Sequence, residues 1–298
     1  MTGCAPPPRF DRVVLIFNPS SSRDSGVLAG QLREALARRL PGMPVSLQPT
    51  GFAGHARTLA REAASAGNPL IVSISGDGGY NEVINGVMDA GGNAVCAVMA
   101  GGNANDHRRS TRRMPLIDAI VAGEIRRIDL LQLQVGEGTT AWTRYAHSYI
   151  GFGLTSAMAI GLAAGTKGVL SELVSVARTM SSLTPLEITR ADGAHATFDS
   201  LVLANIPYMA KYGKVSETGE PNDGMFEVIT LPHASRWRIV LMTLRAVTIG
   251  LGVQQTINRY EFITLDPIPL QIDGEVMNIN AHTTVLVQAQ HQALATLG

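Results

Sequence analysis

Residues 70–88, LIVSISGDGGYNEVINGVM, combine an apolar run, a glycine-rich turn and the start of a helix. The apolar run predicts a buried parallel strand, and apolar residues recur at helical spacing after the turn. Gly76, Gly78 and Gly79 lie between the two elements. Glycine permits close approach of the backbone, so amide N–H groups and the positive end of the helix can converge on an anion. Since many α/β proteins have such a turn without a ligand, the glycines alone leave phosphate binding and a structural turn equally open.

A second segment whose side chains could take part in a reaction is IDGE at 272–275, which carries two carboxylates. Asp273 and Glu275 are two residues apart, so in an extended strand their side chains face the same way, and Gly274 lets a substrate come close. One carboxylate can accept a proton from a hydroxyl group while the other orients that hydroxyl or helps to hold a metal ion. Taken alone, the segment is also typical of an exposed Asp-Gly turn.

Composition excludes several classes of function. The chain has 298 residues, 45% of them hydrophobic, which is typical of a folded protein with one large domain or two ordinary ones. Lys plus Arg and Asp plus Glu both number 24, so no overall basic field attracts nucleic acid. Cys4 and Cys96 lie far apart without metal-ligand spacing, which argues against a disulfide scaffold or a zinc site and fits the reducing cytoplasm.

The sequence gives no sign of a membrane span. The first residues, MTGCAPPPRFDR, lack the apolar core of a secretory signal. The longest apolar run, at 239–253, contains Arg245 and is shorter than the ~20 residues that a spanning helix needs. We therefore expect a cytoplasmic protein whose contact with a membrane, if any, is peripheral.

The first half of the chain alternates predicted strands and helices. The strands are expected at 13–17, 45–47, 70–74 and 94–99, and the helices at 28–40, 55–67 and from 83 onward. This order predicts an α/β domain with a doubly wound parallel sheet, in which ligands bind beyond the carboxyl ends of the strands. The loops at 18–26, 75–81 and 100–107 follow strands and are therefore expected to share one edge.

The second half changes character near residue 126 and predicts a β-rich antiparallel sandwich or barrel-like domain. Strands are expected at 131–135, 142–150, 185–190, 197–205, 225–231, 259–265, 268–273 and 283–289, with helical interruptions at 154–181 and 235–252. The predicted domains are 10–128 and 129–290, joined tightly around a cleft, with the C-terminal tail packing back on the first domain.

Four segments together resemble one known family. They are NPSSSRDSG at 18–26, SGDGGYNEVING at 75–86, GGNANDHRRS at 101–110 and IDGE at 272–275. In order and approximate spacing they resemble the signatures of the diacylglycerol kinase catalytic-domain family, which includes bacterial lipid kinases and sphingosine kinases. Each motif is weak alone, but four in the right order on suitable elements are fairly specific, and the likeness covers nearly the whole chain.

The resemblance implies an NAD kinase/diacylglycerol kinase-like nucleotide domain and a β-rich lipid domain, with ATP in the cleft and a lipid hydroxyl as phosphoryl acceptor. The nucleotide contacts that it implies are Asn18, Pro19, Ser20, Ser21, Ser22, Thr50, Ser75, Gly76, Asp77, Gly78, Gly79, Tyr80, Asn81, Gly102, Asn103, Asn105 and Asp106. Glu275 aligns with the proposed proton acceptor, with Asp273 beside it. Asp223, with the backbone carbonyls of Glu220 and Met225, aligns with a bound Mg²⁺ that shapes its loop.

The chain departs from the family pattern within the phosphate loops. Gly79 and Asn103 stand where threonine is usual, Ser22 stands where glycine is common, and Ser75 replaces the first glycine of the glycine-rich loop. Two hydroxyl donors are thus absent from their usual positions, so nucleotide affinity or choice can differ. The candidate base and the aspartate of the metal loop remain, which favours a divergent enzyme over an inactive one.

The resulting prediction is an ATP-dependent, Mg²⁺-requiring lipid kinase in phospholipid biosynthesis. It would phosphorylate the hydroxyl group of a diacylglycerol-like or sphingoid lipid at a membrane surface. Two alternatives stay open: a kinase of a soluble hydroxyl acceptor, such as NAD kinase with its similar GGDG loop, and a non-catalytic nucleotide- or lipid-binding protein. No nucleic-acid partner is expected, and a homodimer is left open.

Overall fold

The computed structural model describes most of the chain as two compact units. The described residues are 10–21, 24–100, 114–153, 185–209, 213–214, 219–233 and 252–297. Unit 1 comprises residues 1–128 with 292–298, and unit 2 comprises residues 129–291. Within the described part of the chain, no helix is both long enough and apolar enough to cross a membrane.

Unit 1 is built on a parallel sheet. Its strands are β1 (Arg12–Phe17), β2 (Val45–Pro49), β3 (Pro69–Ser75) and β4 (Val95–Ala100), and its helices are α1 (Ser25–Arg39), α2 (His55–Ser65), α3 (Asp77–Asp89) and α4 (Leu116–Ala122). The strand order is β2-β1-β3-β4, and Ala295 and Thr296 from the end of the chain pair in parallel with β4. β1 and β3 are buried on both faces, as central parallel strands are. The predicted α/β fold is therefore confirmed.

Unit 2 is rich in strands that pair antiparallel. They are β5 (Ile125–Val135, which begins in unit 1), β6 (Trp142–Ala146), β7 (Tyr149–Gly153), β8 (Leu186–Arg190), β9 (His195–Ala204), β10 (Tyr208–Met209), β11 (Gly213–Lys214), β12 (Phe226–Pro232), β13 (Gln255–Ile257), β14 (Arg259–Thr264), β15 (Ile268–Ile272), β16 (Glu275–Ile279) and β17 (Thr284–Leu297). The main sheet runs β16-β15-β7-β9-β8-β14-β17. Its core includes Phe152 and Phe262, whose rings meet edge to face with centroids 5.2 Å apart. The predicted antiparallel, β-rich second half is confirmed.

Several details differ from the sequence-based expectations. The predicted strand at 142–150 is two strands, because His147 and Ser148 form a turn between β6 and β7. α4 and β16 were not predicted. β16 has an alternating burial pattern and lies at the edge of the sheet, so it lacks the apolar run of a central strand. The helices expected at 154–181 and 235–252 lie outside the described residues, apart from residue 252.

The helices α2 and α3 pack unusually closely because α3 carries a glycine at the contact. A Cβ atom built on Gly86 would lie 2.1 Å from the carbonyl oxygen of Arg57 and 2.9 Å from the Cβ atom of Ala60. The Arg57 guanidinium also forms two hydrogen bonds to the Asp89 carboxylate, at 2.6 and 2.8 Å. These contacts fix α3, and with it the glycine-rich turn at its start.

The thiol of Cys96 on β4 is excluded as a reactive group. Its side chain is fully buried in unit 1, and burial raises the pKa of this thiol to about 12. The thiol is therefore protonated at neutral pH, whereas the thiolate is the form that acts as a nucleophile or a metal ligand.

We predict opposite effects for alanine at two helical glycines. Gly86→Ala should lower the free energy of unfolding by about 1–3 kcal/mol, because its Cβ atom overlaps the backbone of α2. Gly30→Ala in α1 is the matched control, since nothing lies within 4 Å of the added Cβ atom, and it should raise stability by roughly 0.5–1 kcal/mol. Urea unfolding followed by circular dichroism measures both. Equal effects of the two substitutions would contradict the close approach of α2 and α3.

Candidate functional site

Three neighbouring strand ends bring predicted nucleotide contacts to one edge of unit 1. β1 pairs in parallel with both β2 and β3, and its last residue, Phe17, lies beside Pro49 and Ile74. The residues that follow these three positions are Asn18, Thr50 and Ser75. The carboxyl ends of adjacent parallel strands are where ligands bind in such sheets, so the register places these residues at the expected edge.

The loop after β1 is folded on Asn18. The side-chain oxygen of Asn18 accepts a hydrogen bond from the amide of Ser20 (2.9 Å), and its carbonyl oxygen accepts one from the amide of Ser21 (3.0 Å). The hydroxyl of Ser25, at the start of α1, donates to the same carbonyl. The hydroxyl oxygen of Ser21 is buried and has no hydrogen-bond partner in the described part of the protein, so it can donate to a ligand. Pro19 is exposed.

The start of α3 presents backbone amides to the same edge. Gly76 precedes the helix in an extended conformation (φ −84°, ψ −172°) and, as a glycine, has no side chain that could cap the first turn. The first amide groups of a helix have no partner within it, and together with the helix dipole they attract anions. Asp77, Gly78 and Gly79 form this turn and are all half-buried. The arrangement suits a phosphate group bound through the backbone.

Tyr80 and Asn81 lie in the first turns of α3. Both side chains are buried, with 0% and 1% of their surface exposed. The side-chain amide of Asn85 donates to the carbonyl oxygen and the side-chain oxygen of Asn81, both at 3.0 Å. Their side chains therefore take part in the packing of α3, and the nucleotide contact expected at these two positions stays a prediction.

Glu82 has a structural function that the sequence did not reveal. Its carboxylate accepts hydrogen bonds from the amides of Gly54 (3.1 Å) and Ala56 (3.2 Å), at the N-terminus of α2. A carboxylate is favourable at this position because it satisfies free amides and complements the helix dipole. Glu82 thus connects α3 to the loop that carries Thr50. The remaining predicted contacts, Ser22, Gly102, Asn103, Asn105 and Asp106, lie outside the described residues.

In unit 2, the two predicted catalytic carboxylates lie on a hairpin. Ile272 pairs with Glu275, and the two residues between them, Asp273 and Gly274, have φ values of 47° and 99°. Positive φ at both positions is the hallmark of the two-residue type I′ turn that Asp-Gly favours. The expectation that Asp273 and Glu275 face the same way is therefore wrong, because the chain reverses direction between them. Glu275 is half-buried at the start of β16, whereas Asp273 is completely buried.

Asp273 holds the turn between β6 and β7. Its carboxylate accepts hydrogen bonds from the amides of His147 (2.7 Å), Ser148 (3.0 Å) and Tyr149 (3.0 Å). The Nε2 atom of the buried His147 lies 3.3 Å from the same carboxylate. A buried carboxylate needs such partners to offset its loss of hydration. Because no surface of Asp273 is exposed, the structure gives it a positioning role in place of the expected contact with substrate.

A second buried carboxylate, Asp129 on β5, holds the predicted metal loop. Its amide donates to the carbonyl oxygen of Pro221 (2.7 Å), and its Oδ2 atom accepts from the amide of Gly224 (2.6 Å). Its Oδ1 atom lies 3.0 Å from Nδ1 of His291. The sequence reasoning missed Asp129, although an acidic residue inside the apolar run IDLL was a signal for a buried, hydrogen-bonded carboxylate.

The predicted Mg²⁺ ligands lie in this loop. Asp223 and Glu220 are exposed, and the Oδ1 atom of Asp223 accepts a hydrogen bond from the amide of Met225 (2.9 Å). One carboxylate and two backbone carbonyls are oxygen donors, which is the chemistry that Mg²⁺ prefers. In the described ranges, this loop included, no group of three or more His, Cys, Asp or Glu side chains could hold a metal, so the ion would depend on the backbone carbonyls as well as on Asp223. The donor chemistry of the loop therefore fits the ion.

Comparison with known proteins identifies the family. The family model named "Diacylglycerol kinase catalytic domain" matches residues 12–133, which span the parallel sheet of unit 1 and the first part of β5. The resemblance to the diacylglycerol kinase catalytic-domain family that was drawn from the motifs is therefore confirmed.

The relatives extend the likeness along the chain. A diacylglycerol kinase of Bacillus subtilis (strain 168) is 25% identical over 281 residues, covering 89% of each protein. A diacylglycerol kinase of Staphylococcus saprophyticus is 28% identical over 132 residues, or 40% of each protein. A crystal structure of a diacylglycerol kinase from Bacillus anthracis str. Sterne superimposes with a TM-score of 0.67 at 17% identity, covering 97% of each chain. The structural match shows a shared fold, and the named relatives support a kinase.

We predict that Asp273→Asn destabilises the protein. An asparagine presents one acceptor oxygen and an NH₂ donor, so at least one of the three backbone amides at the β6–β7 turn loses its partner. The free energy of unfolding should fall by about 1–3 kcal/mol. The matched control is Asp266→Asn, an exposed carboxylate between β14 and β15, which should change it by less than about 0.5 kcal/mol. Equal stability of the two variants would contradict the positioning role of Asp273.

Proposed function

We propose that the protein is an ATP-dependent lipid kinase that transfers the γ-phosphoryl group of ATP to the hydroxyl group of a diacylglycerol-like or sphingoid lipid. The observation that carries the proposal is the set of Asn18, Thr50 and Ser75 at three adjacent strand ends, beside the glycine that precedes α3. Phosphoryl transfer depends mainly on positioned phosphates and charge stabilisation, which such an edge can supply. The name shared by the relatives supports the lipid acceptor.

The nucleotide phosphates would be bound mainly by backbone groups. The loop after β1 offers the Ser21 hydroxyl, which has no partner among the described residues, and Gly76 to Gly79 offer the first turn of α3. Ser22, with Gly102, Asn103, Asn105 and Asp106, completes the proposed set. Thr50 lies at the same edge, at the end of β2, where Glu82 holds the following loop.

Mg²⁺ would be held by Asp223 together with the backbone carbonyls of Glu220 and Met225. This ion would shape its loop, whereas a separate Mg²⁺ bound with ATP would supply positive charge that offsets the charge developing on the transferred phosphoryl group. Asp129 holds this loop through hydrogen bonds with Pro221 and Gly224.

Glu275 is the proposed general base. It is a half-buried carboxylate at the first position of β16, directly after a tight turn that Asp273 fixes by hydrogen bonds. Glu275 would accept the proton of the lipid hydroxyl as its oxygen attacks the γ-phosphorus atom, and ADP would leave. Asp273 would act through the position of the hairpin and not through contact with the acceptor.

We predict that Glu275→Gln abolishes transfer without unfolding the protein. The protein is incubated with [γ-³²P]ATP, Mg²⁺ and vesicles of total lipid extract, and the labelled product is identified by mass. Because glutamine cannot accept the proton, the rate should fall by about 10²- to 10⁴-fold. Glu187→Gln, which removes an exposed carboxylate from β8 of the same unit, is the control and should retain the full rate.

The other outcomes of this assay decide between the alternatives. Transfer at the wild-type rate by Glu275→Gln would contradict the assigned base. Label recovered in NADP after addition of NAD, with none in lipid, would replace the lipid kinase by a kinase of a soluble acceptor. Binding of ATP with no transfer to any acceptor would favour a non-catalytic binding protein.

A further inference from the structure

Positions 75 and 79 in the glycine-rich turn can hold only one side chain between them. A Cβ atom built on Gly79 would lie 2.7 Å from the Cβ atom of Ser75 and 2.8 Å from its Oγ atom. Neither distance is compatible with van der Waals contact between non-bonded atoms. The backbone of Gly79 has no positive φ, so its conformation suits any residue. The side chain of Ser75, and not the backbone geometry, therefore requires glycine at position 79.

This crowding links two departures from the family pattern. The pattern has glycine at position 75 and threonine at position 79, whereas this chain has Ser75 and Gly79. The hydroxyl-bearing residue and the glycine have changed places. The Ser75 Oγ atom lies 2.8 Å from the position of a Cβ atom built on Gly79. A threonine at position 79 would carry its hydroxyl on this Cβ atom. The first turn of α3 thus retains a hydroxyl group beside it, although position 79 has none.

The hydrogen bonds of Ser75 make its hydroxyl a ready donor. It donates to the carbonyl oxygen of Gly76 at 2.9 Å, and its oxygen lies 2.7 Å from the hydroxyl oxygen of Ser73. Since a hydroxyl has one proton, Ser73 is the donor in the second contact. Ser73 is 1% exposed and so forms a fixed support from inside the sheet. The Ser75 proton can turn from the Gly76 carbonyl to a phosphate oxygen, because a hydrogen bond to an anion is stronger.

We propose that Ser75 donates a hydrogen bond to a phosphate group of the nucleotide, in place of the hydroxyl that is absent from position 79. The inference rests on the proposed function, because it specifies which group Ser75 contributes at that same edge and why position 79 is glycine. The two departures are then a single exchange that preserves the donor. Ser75 and Gly79 act as a pair, so Ser75→Gly or Gly79→Thr made alone disrupts the pair.

The test is a double-mutant cycle read by two independent measurements. Ser75→Gly should weaken binding of Mg²⁺-ATP roughly tenfold in calorimetry, because a hydrogen bond to a charged group is lost. Gly79→Thr should weaken binding and also lower the unfolding temperature, because its side chain collides with Ser75. The double variant, Ser75→Gly with Gly79→Thr, should recover both the affinity and the stability, so the two effects are strongly non-additive.

Ser75→Ala is the matched control, because it removes the Oγ atom and keeps the Cβ atom. Ser75→Ala should lose affinity for Mg²⁺-ATP as Ser75→Gly does. Gly79→Thr combined with Ser75→Ala should recover neither affinity nor stability, since the two Cβ atoms still collide. The inference would be overturned if Ser75→Ala bound Mg²⁺-ATP with wild-type affinity. It would also be overturned if Ser75→Gly with Gly79→Thr had no higher affinity or unfolding temperature than Gly79→Thr alone. In both cases ATP binding by the wild type leaves the proposed function standing. No binding of ATP by the wild type would overturn both.

Discussion

The close contact between α2 and α3 is the constraint on which the candidate phosphate site depends. Gly86 lets α3 approach the backbone of α2, Arg57 pairs with Asp89 at one end of the contact, and Glu82 accepts hydrogen bonds from the start of α2 at the other. α3 is therefore attached along most of its length. Its first turn cannot move away from the end of β3 without breaking these contacts. The first turn of α3 therefore stays at the carboxyl edge of the parallel sheet.

Unit 2 separates structural carboxylates from those available for chemistry. Asp129 and Asp273 are fully buried, and each binds backbone amides of a turn that would otherwise lack partners. Removing one partner of such a buried charge is costly, so these residues fix loop geometry. Asp223 lies in the loop that Asp129 holds, Glu275 directly follows the turn that contains Asp273, and both acids have exposed surface. Burial thus distinguishes acids that position the loops from acids that could meet a substrate or an ion.

The sequence predicted what depends on local pattern. The alternation of apolar runs with helical periodicity gave the parallel sheet, because central parallel strands are buried on both faces. Contacts between distant residues were beyond its reach. Asp273 binds the amide of His147 across 126 positions of the chain, and no periodicity reveals that pairing. The Asp-Gly pair at 273–274 was visible as a turn signal, but the assumption of an extended strand placed Asp273 on the wrong side.

The central claim is that the carboxyl edge of the parallel sheet binds the phosphates of ATP, and backbone NMR tests it most directly. Mg²⁺-ATP is titrated into uniformly ¹⁵N-labelled protein, and amide shifts are followed in a TROSY spectrum. The account predicts the largest shifts at Ser20, Ser21 and the amides of 76–79, because these residues would lie against the phosphates. Shifts confined to Asn68 and Asn93, which precede β3 and β4 at the opposite edge, or no shifts at all, would contradict it.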